Sequence, residues 1–321
     1  GKPKDLVVTV YPTLKLTNTP LIKSQCDSTN TMLALVPNLA GTLFTWTCTP
    51  SDPSITGYSD NAIPADSINQ LLRNGSYLIQ QVTYSITPHY DGCSGPVSNF
   101  IVKVNPVPDL SNTSPAKAIC DSTSPNVTLT SHVATTQFTW TCTASSANVT
   151  GFSDITVPTT ILDQTLDNTG YDIETVTYHL TPIANDCNGH IFNFVVTVYP
   201  TANLSNIPLS KPICDSTNTN ITLTSNVAST QFTWTCTPSS GNVTGWANNA
   251  VPTITLDQTL NNTGYNIETV TYRILPAANL CNGEPANFVV TVNPTPNLSN
   301  TPPYKGICQG QNTNLNLTSN V

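Results

Sequence analysis

Residues 231–237 read Gln-Phe-Thr-Trp-Thr-Cys-Thr (QFTWTCT), and their alternation decides the fold. Phe232, Trp234 and Cys236 fall on one side at period two, and Thr233, Thr235 and Thr237 on the other. A strand with one buried and one wet face has this pattern. The same words stand at 137–143 (QFTWTCT) and 43–49 (LFTWTCT), displaced by 94 residues each time.

That displacement holds along the whole chain. The cysteines fall at 26, 48 and 93, then 120, 142 and 187, then 214, 236 and 281, and finally 308. Tyr77/Tyr171/Tyr265, Tyr84/Tyr178/Tyr272 and Phe100/Phe194/Phe288 keep the same offset, with no insertion or deletion between copies. A period of this size is that of a whole domain rather than of a solenoid turn. Recent duplication alone produces such identity, so recurrence by itself is not evidence that a residue has a function.

Other runs in copy three repeat the period-two pattern. Residues 220–224 (NITLT), 268–275 (with Val270, Tyr272 and Ile274 on one face) and 287–292 (with Phe288, Val290 and Val292) read as strands separated by Asn-Thr-Gly and Asn-Gly turns. No window shows a 3.6-residue apolar period. About seven short strands per copy, with a core Trp on a middle strand, predict an all-β, immunoglobulin-like sandwich. Tyr265, just after Gly264, falls where a tyrosine corner is expected.

Prolines at 12, 106, 200 and 294 mark the junctions. The expected organisation is therefore 1–11 as the last strand of a preceding repeat and 12–105, 106–199 and 200–293 as three Ig-like repeats in a rod-like array. Residues 294–321 are then the start of a further one. On this reading the chain is a slice of a longer array, and the absence of a leader ahead of Gly1-Lys2-Pro3-Lys4 carries no information. Proline restricts its own backbone and that of the residue before it, and no Gly/Ser hinge intervenes, so neighbouring beads should hold a narrow range of angles.

Composition narrows the function. Among 321 residues there are 10 basic and 18 acidic side chains, 9% charged, against roughly 25% in an ordinary soluble domain. A net charge of −8 with no basic cluster argues against nucleic acid or an anionic membrane as partner. Fifty-three threonines and ten cysteines suggest an extracellular protein made where disulfides survive.

The motifs NITLTSNV, FTWT, VTYRILP, the CNG turn and the closing FVVTVNPTP resemble the PKD-like tandem repeats of Bacteroidota surface proteins, along the entire chain. The resemblance implies a segment of a giant secreted adhesin of the gliding-motility kind, exported by the type IX system. Family copies carry two cysteines, at the places of Cys214 and Cys281. The third, Cys236, is extra here, and CDST replaces the commoner CSG after the first cysteine.

Three cysteines per copy cannot all pair within a copy. The resemblance implies first with third: Cys26–Cys93, Cys120–Cys187 and Cys214–Cys281, leaving Cys48, Cys142 and Cys236 as core thiols and Cys308 with a partner outside the chain. Sandwich topology sits uneasily with this, because the first cysteine falls near one pole and the third near the other, beyond the ~7 Å Cα limit of a disulfide. Three arrangements stay open. A proline-kinked first segment would preserve the internal bond. Bonds Cys26–Cys187 and Cys120–Cys281 would staple neighbours. A first-to-middle bond such as Cys214–Cys236 would also suit the poles.

Catalysis finds no support: His89, His132, His179 and His190 occupy unrelated positions, and no nucleophile elbow, zinc helix, phosphate loop or CxxC is present. No cofactor or metal site is expected; Asp27, Asp121 and Asp215 recur but read as turn formers. Lys23, Lys117, Lys211 and Lys305 recur as stems on the sandwich rim rather than isopeptide donors, although Glu174 and Glu268 would be acids for such a bond. The resemblance also implies O-glycans, which Bacteroidota attach at Asp-Ser/Thr followed by an apolar residue or Thr. That rule selects Ser28, Ser67, Ser122 and Ser216. The Asn-x-Thr sequons at Asn126, Asn148, Asn220 and Asn242 are expected by chance in so Asn- and Thr-rich a chain. Tyr58, Phe152 and Trp246, each after a repeated glycine, read as plugs under a strand connection rather than sugar platforms.

The expected function is a structural stalk or shaft of a long cell-surface adhesin or filament, holding a binding tip away from the cell. Its expected partners are neighbouring repeats, lateral copies in a filament and surface glycans. A multivalent glycan-binding array and a spacer within a large secreted enzyme are the competing readings.

Overall fold

A computed structural model describes residues 1–2 and 4–321 of the protein. No helix occurs among the described residues, and strands make up all three repeats.

In repeat 1 the larger sheet contains a leading strand Ile22–Cys26, a Trp strand Leu43–Pro50, an edge strand Asn61–Ala65, a long strand Gln80–Tyr90 and a closing strand Ser98–Asn105. Their order across the sheet is leading, closing, long, Trp, edge. The leading strand runs parallel to the closing strand and every other pairing is antiparallel. Short strands such as Thr29–Asn30, Ile55–Thr56 and Leu71–Asn74 form the facing layer. The corresponding five strands are Ala116–Cys120, Gln137–Ala144, Ile155–Thr159, Glu174–Ala184 and Phe192–Tyr199 in repeat 2. In repeat 3 they are Ser210–Cys214, Gln231–Pro238, Asn249–Thr253, Glu268–Ala278 and Ala286–Asn293.

Side-chain alternation places the core as the sequence requires. In repeat 2, Phe138 and Trp140 meet Val176, Tyr178 and Leu180 of the long strand and Phe194, Val196 and Val198 of the closing strand. Leu129, Val149, Leu162 and Leu166 close the cluster from the facing layer. Fully burying each such side chain contributes about 1.5–3 kcal/mol. The opposite face of the Trp strand is the threonine face, where Thr139 lies across from Thr181 and Thr143 across from Thr177.

Two expectations are corrected. Tyr77, Tyr171 and Tyr265 are not buried corners, being 52%, 52% and 55% exposed. The tyrosines that anchor the core are Tyr84, Tyr178 and Tyr272, seven residues later, in phase with the alternation of the long strand and fully buried. Residues 4–11 form no strand, and Leu6, Val7, Val8 and Val10 are exposed.

Candidate functional site: the junction between repeats

The parallel pairing of the leading strand decides where the first cysteine of each repeat lies. Cys26 is in register with Asn105, the last residue of the closing strand, so it sits at the exit pole of repeat 1. Cys93 follows the two-residue turn Asp91-Gly92 at the far end of the long strand. The eight-residue closing strand separates the two poles, about 25 Å at 3.3 Å per residue. Internal pairs Cys26–Cys93, Cys120–Cys187 and Cys214–Cys281 are therefore excluded by geometry.

The disulfides join neighbours instead. Cys26 bonds to Cys187 with Cα atoms 5.6 Å apart, and Cys120 bonds to Cys281 at 5.7 Å. Both distances lie in the ordinary range for a disulfide. In each case the first cysteine of one repeat takes the third cysteine of the next. The receiving cysteine is carried by the hairpin between the long and closing strands, whose tip residues have positive φ: Asn185 (50°) and Asp186 (61°), Asn279 (52°) and Leu280 (65°). Two successive left-handed residues are the mark of a tight two-residue hairpin, which projects the cysteine from the pole.

Other groups hold the hairpin against its neighbour. Asn105, buried at the end of the repeat 1 closing strand, donates from Nδ2 to the carbonyl of Asn185 in repeat 2 at 3.1 Å. Tyr77 of repeat 1 stacks on His132 of repeat 2 with ring centroids 4.7 Å apart. His132 in turn contacts Asp109 at 2.7 Å; burial pushes that carboxyl up, but hydrogen bonds from the His132 ring, the Ser131 hydroxyl and the His132 backbone N–H outweigh it and hold the carboxyl below its ordinary value. At the next junction Thr201 Oγ1 donates to Asp121 Oδ2 at 2.7 Å. Gly189 is required beside the joint, because a Cβ there would lie 2.0 Å from the carbonyl oxygen of Pro108. Gly95 and Gly283 stand in the same relation to Leu14 and Ala202.

The middle cysteines are half-buried and unpaired. Cys48, Cys142 and Cys236 donate from Sγ to the carbonyls of Ser59, Ser153 and Ala247. Burial pushes their thiols up, to about 12, about 12 and about 11. The same carbonyls accept the indole N–H of Trp46, Trp140 and Trp234, each at 3.1 Å. A third donor is the amide of Gln70, Gln164 or Gln258. The oxygen of that amide accepts from the hydroxyl of Tyr84, Tyr178 or Tyr272. This glutamine therefore ties the Trp strand, the connection after it and the long strand together. Sequence reasoning missed it.

The chain matches the PKD-like domain over residues 23–108, 117–202 and 211–296. It belongs to the PKD-like domain family. No enzymatic family is indicated by this match. A search of curated proteins finds no match. Among solved structures it is similar to an I-band fragment of titin (7% identity, TM-score 0.43, covering 89% of this chain and 100% of that one). It is also similar to the human desmocollin-1 ectodomain (9% identity, TM-score 0.33, covering 88% and 63%) and to the insect immune protein hemolin (8% identity, TM-score 0.29, covering 90% and 79%). The three tandem PKD-like sandwiches are joined by one disulfide across each of their two joints.

The remaining recurrent residues of the PKD-like repeats have local partners. Lys23 Nζ donates to the carbonyl of Thr31, Lys211 to Thr219 and Lys305 to Thr313. Asp27, Asp121 and Asp215 each accept the backbone N–H of Asn74, Asn168 or Asn262, 47 residues further on, which ties the segment after the leading strand to the facing layer. Glu174 accepts from Ser145 and Ser146, which hold its carboxyl below the ordinary range. Ser28, Ser67, Ser122 and Ser216 are all exposed. Tyr58 and Phe152 pack onto the cores of their repeats, while Trp246 is 36% exposed and donates to the Val243 carbonyl. The glycine before each plug has φ of 87–88°, and a Cβ would meet a carbonyl oxygen at 1.9–2.1 Å.

Proposed function

We propose that this chain is a shaft segment of a long extracellular adhesin or filament, in which each joint between PKD-like beads is covalently closed. The carrying observation is that both disulfides cross a joint and neither lies within a bead. A bond inside a bead stabilises that bead alone; a bond across a joint also restricts the angle between two beads. Buried junction residues add to this, since Pro106, Pro108, Pro200 and Ala202 are packed rather than solvated. The bead boundaries proposed are 12–105, 106–199 and 200–293, with a length of roughly 35–40 Å per bead from strands of about ten residues.

The resemblance to Bacteroidota repeats supports a gliding-motility-type adhesin exported by the type IX system. Exposure of Ser28, Ser67, Ser122 and Ser216 supports O-glycosylation at those residues, three of them in the turn directly after a staple-forming position. Small-angle scattering of the oxidised chain is expected to give a rod with a maximum dimension of about 110–120 Å, which reduction broadens into a distribution of bent forms. Identical scattering before and after reduction would show that the staples do not set the shape.

A further inference from the structure

Four cysteine positions at the joints are occupied by the two staples, and two more stand in the same places without partners. Cys214 ends the leading strand of repeat 3 as Cys26 and Cys120 end theirs, paired with Asn293 as Cys26 is with Asn105. Cys93 follows the hairpin of repeat 1 as Cys187 and Cys281 follow theirs. Cys187 and Cys281 are buried, at 3% and 4% exposure, whereas Cys93 and Cys214 are exposed. We propose that Cys214 and Cys93 are the two open halves of the same staple. Cys214 receives the hairpin cysteine of a PKD-like bead placed after repeat 3, and Cys93 receives the leading-strand cysteine of a bead placed before repeat 1. The proposal rests on reading the joints as covalently closed.

Both open halves are already partly dressed for a neighbour. Thr295 Oγ1 donates to Asp215 Oδ2 at 3.0 Å, repeating the bond from Thr201 to Asp121 at the closed joint. Beyond it, the backbone bond from Ser299 to Thr318 repeats those from Ser205 to Thr224 and from Ser111 to Thr130, so residues after 293 take the path that opens a bead. At the other end, Tyr11 stands 94 residues before Asn105, the residue that holds the next bead's hairpin. Tyr11 Oη donates to Asp91 Oδ2 at 2.8 Å and its ring meets Tyr90 edge-on at 5.0 Å, on the hairpin that carries Cys93. Asn293, the counterpart of Asn105, has no hairpin to hold and turns its amide to the carbonyl of Ile213 at 3.2 Å.

Closing each staple joins two Sγ atoms and releases two protons and two electrons. The acceptor is a disulfide-bearing oxidant, such as an oxidised thiol–disulfide oxidoreductase, which leaves as the dithiol. The Asp-Gly tip of repeat 1 matches the polar tip Asn185-Asp186 that Cys26 already accepts, so the occupant is a further bead of this family rather than an unrelated thiol protein.

The test is a non-reducing peptide map of the protein from its own source, with thiols alkylated before cell breakage. Cys214 is expected in a disulfide with a cysteine that follows a two-residue hairpin turn, and Cys93 with one that ends a leading strand. The Cys26–Cys187 and Cys120–Cys281 peptides are read in the same run and report on the stapled-joint reading independently. Alkylated Cys93 and Cys214 beside intact Cys26–Cys187 and Cys120–Cys281 would overturn this proposal alone. Cys214 bonded to Cys236 would overturn this proposal alone, and Cys214 bonded to Cys281, which removes the Cys120–Cys281 staple, would overturn both. As a second arm, the full chain is oxidised with oxidised glutathione in Cys48→Ser/Cys142→Ser/Cys236→Ser form, where the half-buried thiols cannot interfere. Cys214 and Cys93 are expected to be blocked by the tripeptide at least tenfold faster than Cys26, Cys120, Cys187 and Cys281; equal blocking would refute open halves beside closed ones.

Discussion

The two staples overlap in sequence, and this fixes how far the chain can be stretched. Cys26 bonds forward to Cys187, and Cys120, which lies between them, bonds forward to Cys281. Pulled by its ends, the oxidised chain becomes taut along the shortest covalent path. That path runs from Gly1 to Cys26, across to Cys187, back along the backbone to Cys120, across to Cys281 and on to Val321. It contains about 132 residues of backbone against about 320 in the reduced chain, or roughly 450 Å against 1,090 Å at ~3.4 Å per extended residue. Full reduction should therefore release roughly 640 Å of contour. Cutting one staple should release far less. In Cys26→Ser the path through Cys120–Cys281 still spans only about 159 residues, so the gain is about 27 residues, or ~90 Å. Single-molecule force extension with enzymatically ligated handles at the two termini reads these lengths directly. Gains that add, with each single variant releasing about half of the full length, would refute the interleaved pairing. Equal contours before and after reduction would refute any disulfide across a joint.

Further outcomes follow from the cores. Gln164→Ala leaves the buried Tyr178 hydroxyl and the Ser153 backbone without their partner, and should cost repeat 2 about 2–3 kcal/mol in denaturant unfolding. An unchanged midpoint would show that solvent replaces the amide. Glu174 and Glu268 are held below the usual carboxylate value chiefly by the hydroxyls of Ser145 and Ser239. A depressed folded value stabilises above the unfolded value of 4.5 and is lost as pH falls through and below it. Repeats 2 and 3 should therefore lose melting temperature between pH 5 and 3 more steeply than repeat 1, which has Gln80 there, and Glu268→Gln should flatten the slope for repeat 3. Because burial pushes Cys48, Cys142 and Cys236 to about 12, 12 and 11, their alkylation at pH 8 should lag well behind that of exposed Cys93, Cys214 and Cys308. Comparable rates in a mass-spectrometric time course would contradict their shielding.

Much of the sandwich was legible because period-two alternation needs no tertiary information. Phe232, Trp234, Tyr272 and Phe288 are buried as the pattern requires. The opposite poles of the first and third cysteines were legible too, since strand count alone fixes them. The pairing was not, because the spacing of 94 makes Cys93 and Cys187 equivalent in sequence. Only the approach of one bead's hairpin to the previous bead's exit pole separates them. The glutamine hub escaped for a related reason. Gln70, Gln164 and Gln258 recur at the common offset, but so does most of the chain, and a polar residue between strands carries no periodic signal of burial. Tyr265 was misread because its place after Gly264 suits a corner, while the hydroxyl that is anchored in the core belongs to Tyr272.

Placing the bond across the joint stabilises the beads themselves, although none contains a disulfide. Consider repeat 1 unfolding while repeat 2 stays native. Its chain is pinned at Cys26 through Cys187 and again where it enters repeat 2 after Asn105, so the unfolded segment is a closed loop of about 80 residues. Chain entropy assigns such a closure roughly 4 kcal/mol, close to the value for an internal bond between first and third cysteines. Repeat 3 is closed in the same manner by Cys281 and its start after Tyr199. Repeat 2 is pinned at both Cys120 and Cys187 to different neighbours. One bond per joint thus serves two beads and the angle between them. At about 4–8 °C per kcal/mol for a domain of this size, full reduction should lower the bead transitions by roughly 15–30 °C in scanning calorimetry. Cys26→Ser should lower those of repeats 1 and 2 while leaving repeat 3, still closed by Cys120–Cys281, near its original midpoint. A uniform drop across all three beads in that variant would mean that the staples act through general association of the array rather than through closure of particular loops.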